Sequence, residues 1–237
     1  MAALLAGCST GGGPSAASSA ASSTASSTPS ATTTPAAACL TPEEVRTGQI
    51  DFASANGTPL QGLLVGTGSV GVVLAHQSES DLCQWRPYAY TLASKGYRAL
   101  TLSMAFHLDE DVAGAVAALR ARGVQHVVLI GASMGGTAVL GAATEVDPPV
   151  DAVVSLSAPA RYQTVNALPL VPKLRMPTLY VVASGDTAFA EDGRALYAAS
   201  PPSLRTLLVV DGAAHGVDML TPAVTARVEA FLKAHSP

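Results

Sequence analysis

The chain has 237 residues, nearly half of them apolar, and a formal net charge of −4. That length suits one domain with a substantial core, and a charge balance without a basic cluster excludes a nucleic-acid footprint. No apolar run approaches the ~18 residues that a membrane-spanning helix requires.

The first residues end in Leu5-Ala6-Gly7-Cys8, which resembles the signal box of bacterial lipoproteins; the resemblance implies Cys8 as a lipidation site. No Lys or Arg precedes Arg46, so the charged segment that accompanies such a box is expected upstream of Met1. Residues 9–38 are almost entirely Ser, Ala, Thr, Gly and Pro. Such side chains bury too little area to offset the entropy of ordering them, which predicts a disordered tether. The folded domain is then residues 39–237. With Cys8 assigned to lipid, Cys39 and Cys83 remain as a candidate disulfide pair, suited to an oxidising compartment. The expected location is extracytoplasmic, either lipid-anchored to the cell membrane or secreted, with membrane contact through the N-terminal anchor alone.

Within the domain, Gly48 to Ala53 and Leu60 to Val65 read as strands joined at Asn56-Gly57, a hairpin signal. Val70 to Ala75 is a more apolar strand ending at His76. Asp81 to Gly96 reads as a helix, with Leu82, Trp85, Tyr88 or Ala89, and Leu92 on one face. Tyr97 to Leu102 is the next strand. Asp109 to Arg122 is a helix with acids in its first turn, Val112, Val116 and Leu119 on one stripe, and Gly123 as its stop. After it come the strands Val127 to Ile130, Val150 to Leu156, Thr178 to Ala183 and Leu204 to Val210. A last helix is capped by Thr221, with Pro222 at its first position and Val224, Val228 and Phe231 on its inner face. Strands alternating with helices at this rhythm predict an α/β fold with a mainly parallel sheet.

The strand Val127 to Ile130 runs directly into Gly131-Ala132-Ser133-Met134-Gly135, followed by a small-residue helix from Thr137 to Val146. Strand, tight turn and helix around Gly-x-Ser-x-Gly form the context of a nucleophile elbow. Gly131 and Gly135 lack a Cβ and leave room for strand and helix to pack closely. Serine at the helix N-terminus lies where free N–H groups favour a developing oxyanion.

A serine needs a base, and the base a third group that fixes its tautomer. Five histidines are present. His126 opens the elbow strand at the end away from Ser133, His235 is in the tail, and His107 suits a surface position. His215, just past the last strand, is the candidate base. The acid should lie beyond a strand between Ser133 and His215. Asp186, after Thr178 to Ala183, fits best, with Asp192 and Asp211 as lesser candidates. The catalytic set reads Ser133, Asp186, His215.

From about Gln49 to Ala234 the chain resembles an α/β-hydrolase of the serine-esterase, dienelactone-hydrolase-like kind. The pieces that carry the resemblance are Leu74-Ala75-His76, Gly131-Ala132-Ser133-Met134-Gly135-Gly136, Ala183-Ser184-Gly185-Asp186 and Gly212-Ala213-Ala214-His215-Gly216. It implies an eight-stranded, mostly parallel sheet flanked by helices, and the triad order given above. It also implies an oxyanion hole made by the N–H of Met134 and one from the loop after the third strand. Two departures stand out. Most members have His-Gly in that loop, whereas this chain has His76-Gln77, which places the second donor on Ser78 by position, with Gln77 as the alternative. Dienelactone hydrolases proper use cysteine where this chain has Ser133, which points to ordinary ester chemistry. His76 reads as a residue that orients the loop.

The expected reaction is hydrolysis of a small carboxylic ester through an acyl-enzyme, with no cofactor and no metal. Ala158 to Met176, where many relatives insert a cap, is too short for a lid domain, so a shallow pocket is expected, with Phe106, Met134 and Leu168 as apolar lining. Two alternatives remain open: an acyltransferase or thioesterase on the same triad, and a tethered binding module without catalysis.

Overall fold

A computed structural model describes residues 37–236. Cys8 and the stretch from Ser9 to Ala36 lie outside the described residues. Among those described, no helix is long and apolar enough to cross a membrane.

Eight strands form one sheet: β1 (Gln49–Ala53), β2 (Pro59–Val65), β3 (Val70–Ala75), β4 (Arg98–Leu102), β5 (His126–Ala132), β6 (Ala152–Leu156), β9 (Thr178–Ala183) and β10 (Arg205–Val210). Their order is β1-β2-β4-β3-β5-β6-β9-β10. β2 is antiparallel to both β1 and β4, and the remaining pairs are parallel. The central strands are buried along almost their whole length, which is why they read as unbroken apolar runs rather than alternating ones. Every expected strand is present, with ends shifted by one or two residues. Gly57 turns the β1–β2 hairpin with φ 89°, a conformation open to glycine without steric cost.

Helices cover both faces. One face carries α3 (Leu108–Arg120), α4 (Met134–Glu145) and α5 (Thr187–Ala199), the other α2 (Arg86–Ser94) and α6 (Pro222–His235), while α1 (Pro42–Thr47) precedes the sheet. The stripe Val112, Val116 and Leu119 is buried as expected. The expected helix from Asp81 divides. Asp81 caps a 3-10 turn, Leu82–Trp85, before α2 begins with Pro87 in its first turn. Leu82, Trp85, Ala89 and Leu92 form the buried face, and the Trp85 indole N–H donates to the Ala75 carbonyl at 2.9 Å. α4 starts three residues earlier than expected, directly at Ser133, which serves as its N-cap. In place of a lid, the segment from Ala158 to Met176 holds a small hairpin of β7 (Arg161–Tyr162) and β8 (Val165–Asn166) and a single 3-10 turn.

Cys39 and Cys83 are joined in a disulfide spanning 44 residues, with their Cα atoms 5.8 Å apart. Closing a loop of that size is worth ~4 kcal/mol in the chain-entropy model.

The start of the domain is also held by Glu44. Thr41 and Glu44 form a reciprocal capping box, and the Glu44 carboxylate also accepts from Arg86 Nε and the Tyr90 hydroxyl, each at 2.7 Å. Arg86 above all holds this carboxyl at a pKa of about 2, against an ordinary 4.5. A depressed carboxyl pKa gives stability that is complete above the unfolded value and lost as pH falls through the folded one. Part of the loss of stability between about pH 4.5 and 2 is therefore expected to come from Glu44. Urea unfolding across that window should give a shallower fall for Glu44→Gln, and parallel curves would refute the assignment.

Candidate active site

The parallel registers bring the C-terminal ends of β5, β6, β9 and β10 to one edge: Ala132 lies opposite Leu156, Leu156 opposite Val181, and Val210 opposite Ala183. Residues immediately past these ends are therefore neighbours, although scattered in the chain.

Ser133 sits between β5 and α4 with φ 49° and ψ −115°, a strained conformation for a residue with a Cβ. Its surroundings enforce the strain. Its N–H donates to Leu156 O at 2.8 Å, and its carbonyl accepts from Thr137 N–H at 3.1 Å. A Cβ on Gly131 would run into the backbone of Gly135, and one on Gly135 into the carbonyls of Ala75 and His76. The side chain is almost fully buried, with the residue 4% exposed.

Asp186 follows β9 as the residue before α5, and His215 follows β10, just before a 3-10 turn, Gly216–Met219. Gly185 N–H donates to Gly212 O at 2.7 Å, tying the two loops together. His215 Nδ1 stands 2.7 Å from Asp186 Oδ2. With the Nδ1 proton donated to the carboxylate, the Nε2 lone pair is free to accept a proton. Among the described residues, no hydrogen bond joins Ser133 Oγ to the His215 ring; the two loops meet through Gly216, where a Cβ would lie 3.6 Å from that of Ala132. Nucleophile–base bonds are often long before substrate binds.

Phe189, from the first turn of α5, packs on the imidazole with ring centroids 4.2 Å apart. Sequence reasoning missed it, because α5 itself was not anticipated. The lesser carboxylate candidates have other situations: Asp192 accepts from Ala160 N–H at 2.8 Å, and Asp211 is exposed.

The other histidines stand apart. His126 pairs with Asp151 at 3.0 Å, His107 is exposed, and His235 lies against Phe231. His76 is buried, and burial pushes its pKa below the usual value. Its Nδ1–H donates to Gln77 O at 2.7 Å, and its Nε2 accepts from Met104 N–H at 3.0 Å. A neutral ring thus ties the loop after β3 to the loop after β4, the orienting part read from the sequence.

In the loop after β3, Gln77 N–H donates to Gln84 Oε1 at 2.9 Å. The N–H of Ser78 has no acceptor among the described residues, and Met134, as the first residue of α4, has no partner within the helix. Two backbone N–H groups are therefore without an acceptor among the described residues, one at the start of α4 and one in the loop after β3. Of the expected apolar lining, Met134 is buried, while Phe106 is 78% and Leu168 40% exposed. A large open groove of about 480 Å³ lies nearby, between α2 and the start of α6, lined by Gln84, Trp85, Tyr88, Val217 and Leu220 among others.

Comparison with solved structures reveals the same architecture. The esterase domain of a Rhodothermus marinus protein superposes with a TM-score of 0.64 at 21% identity, covering 79% of this chain and 98% of that one. An esterase of Pyrococcus furiosus gives 0.70 at 16% identity, covering 84% and 95%. A dienelactone hydrolase of Anabaena variabilis gives 0.65 at 24%, covering 80% and 100%. No family model and no curated protein matches the chain. The fold is that of the α/β-hydrolases. Residues 49–235 supply all of its sheet and the helices that flank it.

Proposed function

We propose that the chain is a serine hydrolase of carboxylic esters. The observation that carries this reading is the 2.7 Å contact of His215 Nδ1 with Asp186 Oδ2, at the sheet edge where Ser133 is held in its strained turn. His215 Nε2 takes the proton of Ser133 as its Oγ attacks the ester carbonyl. Asp186 steadies the imidazolium, and the N–H groups of Met134 and Ser78 receive the oxyanion; losing one such donor typically costs ~100–1000-fold in rate. The imidazolium then protonates the departing alcohol, and water, deprotonated by the same ring, releases the acid from the acyl-enzyme. The esterases and the dienelactone hydrolase of the same fold support ester chemistry. The short segment in the lid position supports small, soluble or short-acyl esters. The disulfide supports an extracytoplasmic setting, with Cys8 as the anchor and residues 9–38 as the tether.

A fluorophosphonate probe is expected to label the purified chain at Ser133, and a folded chain that stays unlabelled there would be a binding module instead. Against p-nitrophenyl esters from acetate to palmitate, activity should be highest for the short chains. A steady rise toward palmitate would overturn the shallow site, and product transfer to added alcohols at the expense of hydrolysis would make the chain an acyltransferase.

A further inference from the structure

We propose that Gln77 and Gln84 are positioning residues that set the oxyanion donor of Ser78 against the loop carrying His215. The inference rests on the hydrolase reading above and adds two residues to it. Gln77 is tied by three of its groups. Its N–H donates to Gln84 Oε1 at 2.9 Å, and its carbonyl accepts from His76 Nδ1–H at 2.7 Å. Its side-chain Oε1 faces Gly216 and accepts from Val217 N–H at 3.4 Å.

The consequence for Ser78 follows from peptide planarity. The Gln77 carbonyl and the Ser78 N–H belong to one trans peptide and point in opposite directions. Fixing the carbonyl on His76 therefore fixes where the Ser78 N–H points, while the bond to Gln84 fixes the peptide before it and removes the Gln77 N–H as a competing donor. The side chain does a second job. Gly216 has φ 57° and no side chain, and a Cβ there would meet the Gln77 amide oxygen. A glutamine at 77 and a glycine at 216 are complementary shapes, and they join the oxyanion loop to the residue beside the base.

Gln84 presents its acceptor from a well-held stretch of backbone. It lies in the Leu82–Trp85 turn, which is held by the Asp81 carboxylate on Cys83 N–H at 2.8 Å, by Leu82 N–H on Ser103 Oγ at 3.2 Å and by the Trp85 indole on Ala75 O. Cys83, its neighbour, is locked to Cys39.

The test compares kcat and KM for p-nitrophenyl acetate, together with the rate of fluorophosphonate labelling, in the full chain and in Gln77→Met, Gln84→Met and Gln84→Glu. Methionine keeps the volume and removes the acceptor; glutamate keeps an acceptor oxygen for the Gln77 N–H. Both methionine variants are expected to lose about tenfold or more in kcat and in labelling rate, with KM within about twofold, as a misplaced donor would cause. Gln84→Glu should recover to within about threefold of wild type, because the bond to Gln77 is restored. Folded methionine variants with wild-type kcat and labelling rate overturn the proposal while the hydrolase reading stands. A loss at Gln84→Met that Gln84→Glu fails to rescue also overturns it, as does a methionine variant that only unfolds while Gln84→Glu keeps the reduced rate. A wild-type chain that is not labelled at Ser133 brings down both readings.

Discussion

Ser133→Ala is expected to lose ester hydrolysis by roughly 10⁴- to 10⁶-fold while remaining as stable as the wild-type chain. The rate prediction follows from the residue's part as nucleophile: without Oγ no acyl-enzyme forms, and only the oxyanion donors and binding remain to speed attack by water. The stability prediction follows from the bonds Ser133 makes. Those that fix the turn, to Leu156 O and from Thr137 N–H, are backbone bonds that alanine keeps, and alanine pays the same backbone strain at φ 49° as serine. Rates on p-nitrophenyl acetate and a thermal melt measure both. A variant that hydrolyses esters at a tenth of the wild-type rate would remove Ser133 from the mechanism.

Gly135→Ala should damage both the fold and the site with a single added methyl group. The new Cβ would overlap the carbonyls of Ala75 and His76, which belong to the end of β3 and its loop and cannot swing aside as a side-chain tip would. α4 would have to move off the sheet, taking with it the Met134 N–H and the serine turn. A loss of about 2–4 kcal/mol is expected, at or above the upper end of ordinary overpacking, with activity falling further than stability. Gly57→Ala provides the contrast: its φ is 89° and nothing lies within 4 Å of its Cβ, so only the left-handed backbone cost of ~1–2 kcal/mol remains. Urea unfolding of the two variants separates collision from conformational strain, and equal losses would show that the close approach of α4 to β3 is softer than it looks.

Most of the sheet was legible because its central strands are buried on both faces, so Val70 to Ala75 or Thr178 to Ala183 could hardly be anything else. The serine turn was legible from its glycines, and Asp186 and His215 from lying just past strand ends. The cysteine pair followed from counting. The helix after Asp186 was not legible. Only Ala190, Gly193 and Leu196 of α5 are buried, too few and too small to make an apolar stripe, and Phe189 on the imidazole was hidden with it. α1 has six residues, shorter than a periodic signal. The start of α4 was placed late because Met134, Gly135 and Gly136 look like turn residues, whereas glycine there answers a close approach to β3. Gln77 stood out only as a departure from His-Gly, and the positioning part proposed for it was not legible: a residue bonded to the chain seven positions on and again 140 positions on leaves no local pattern.

The bridge between Cys39 and Cys83 makes a covalent ring of the stretch that contains α1 and the first three strands. The tip of the β1–β2 hairpin, Ala55 to Gly57, lies exposed inside that ring, and exposed loop tips are where proteases cut first. A chain nicked there would not come apart. It would run as one band on a denaturing gel until a thiol was added, and its two pieces would remain in register to close the gap between β1 and β2 again.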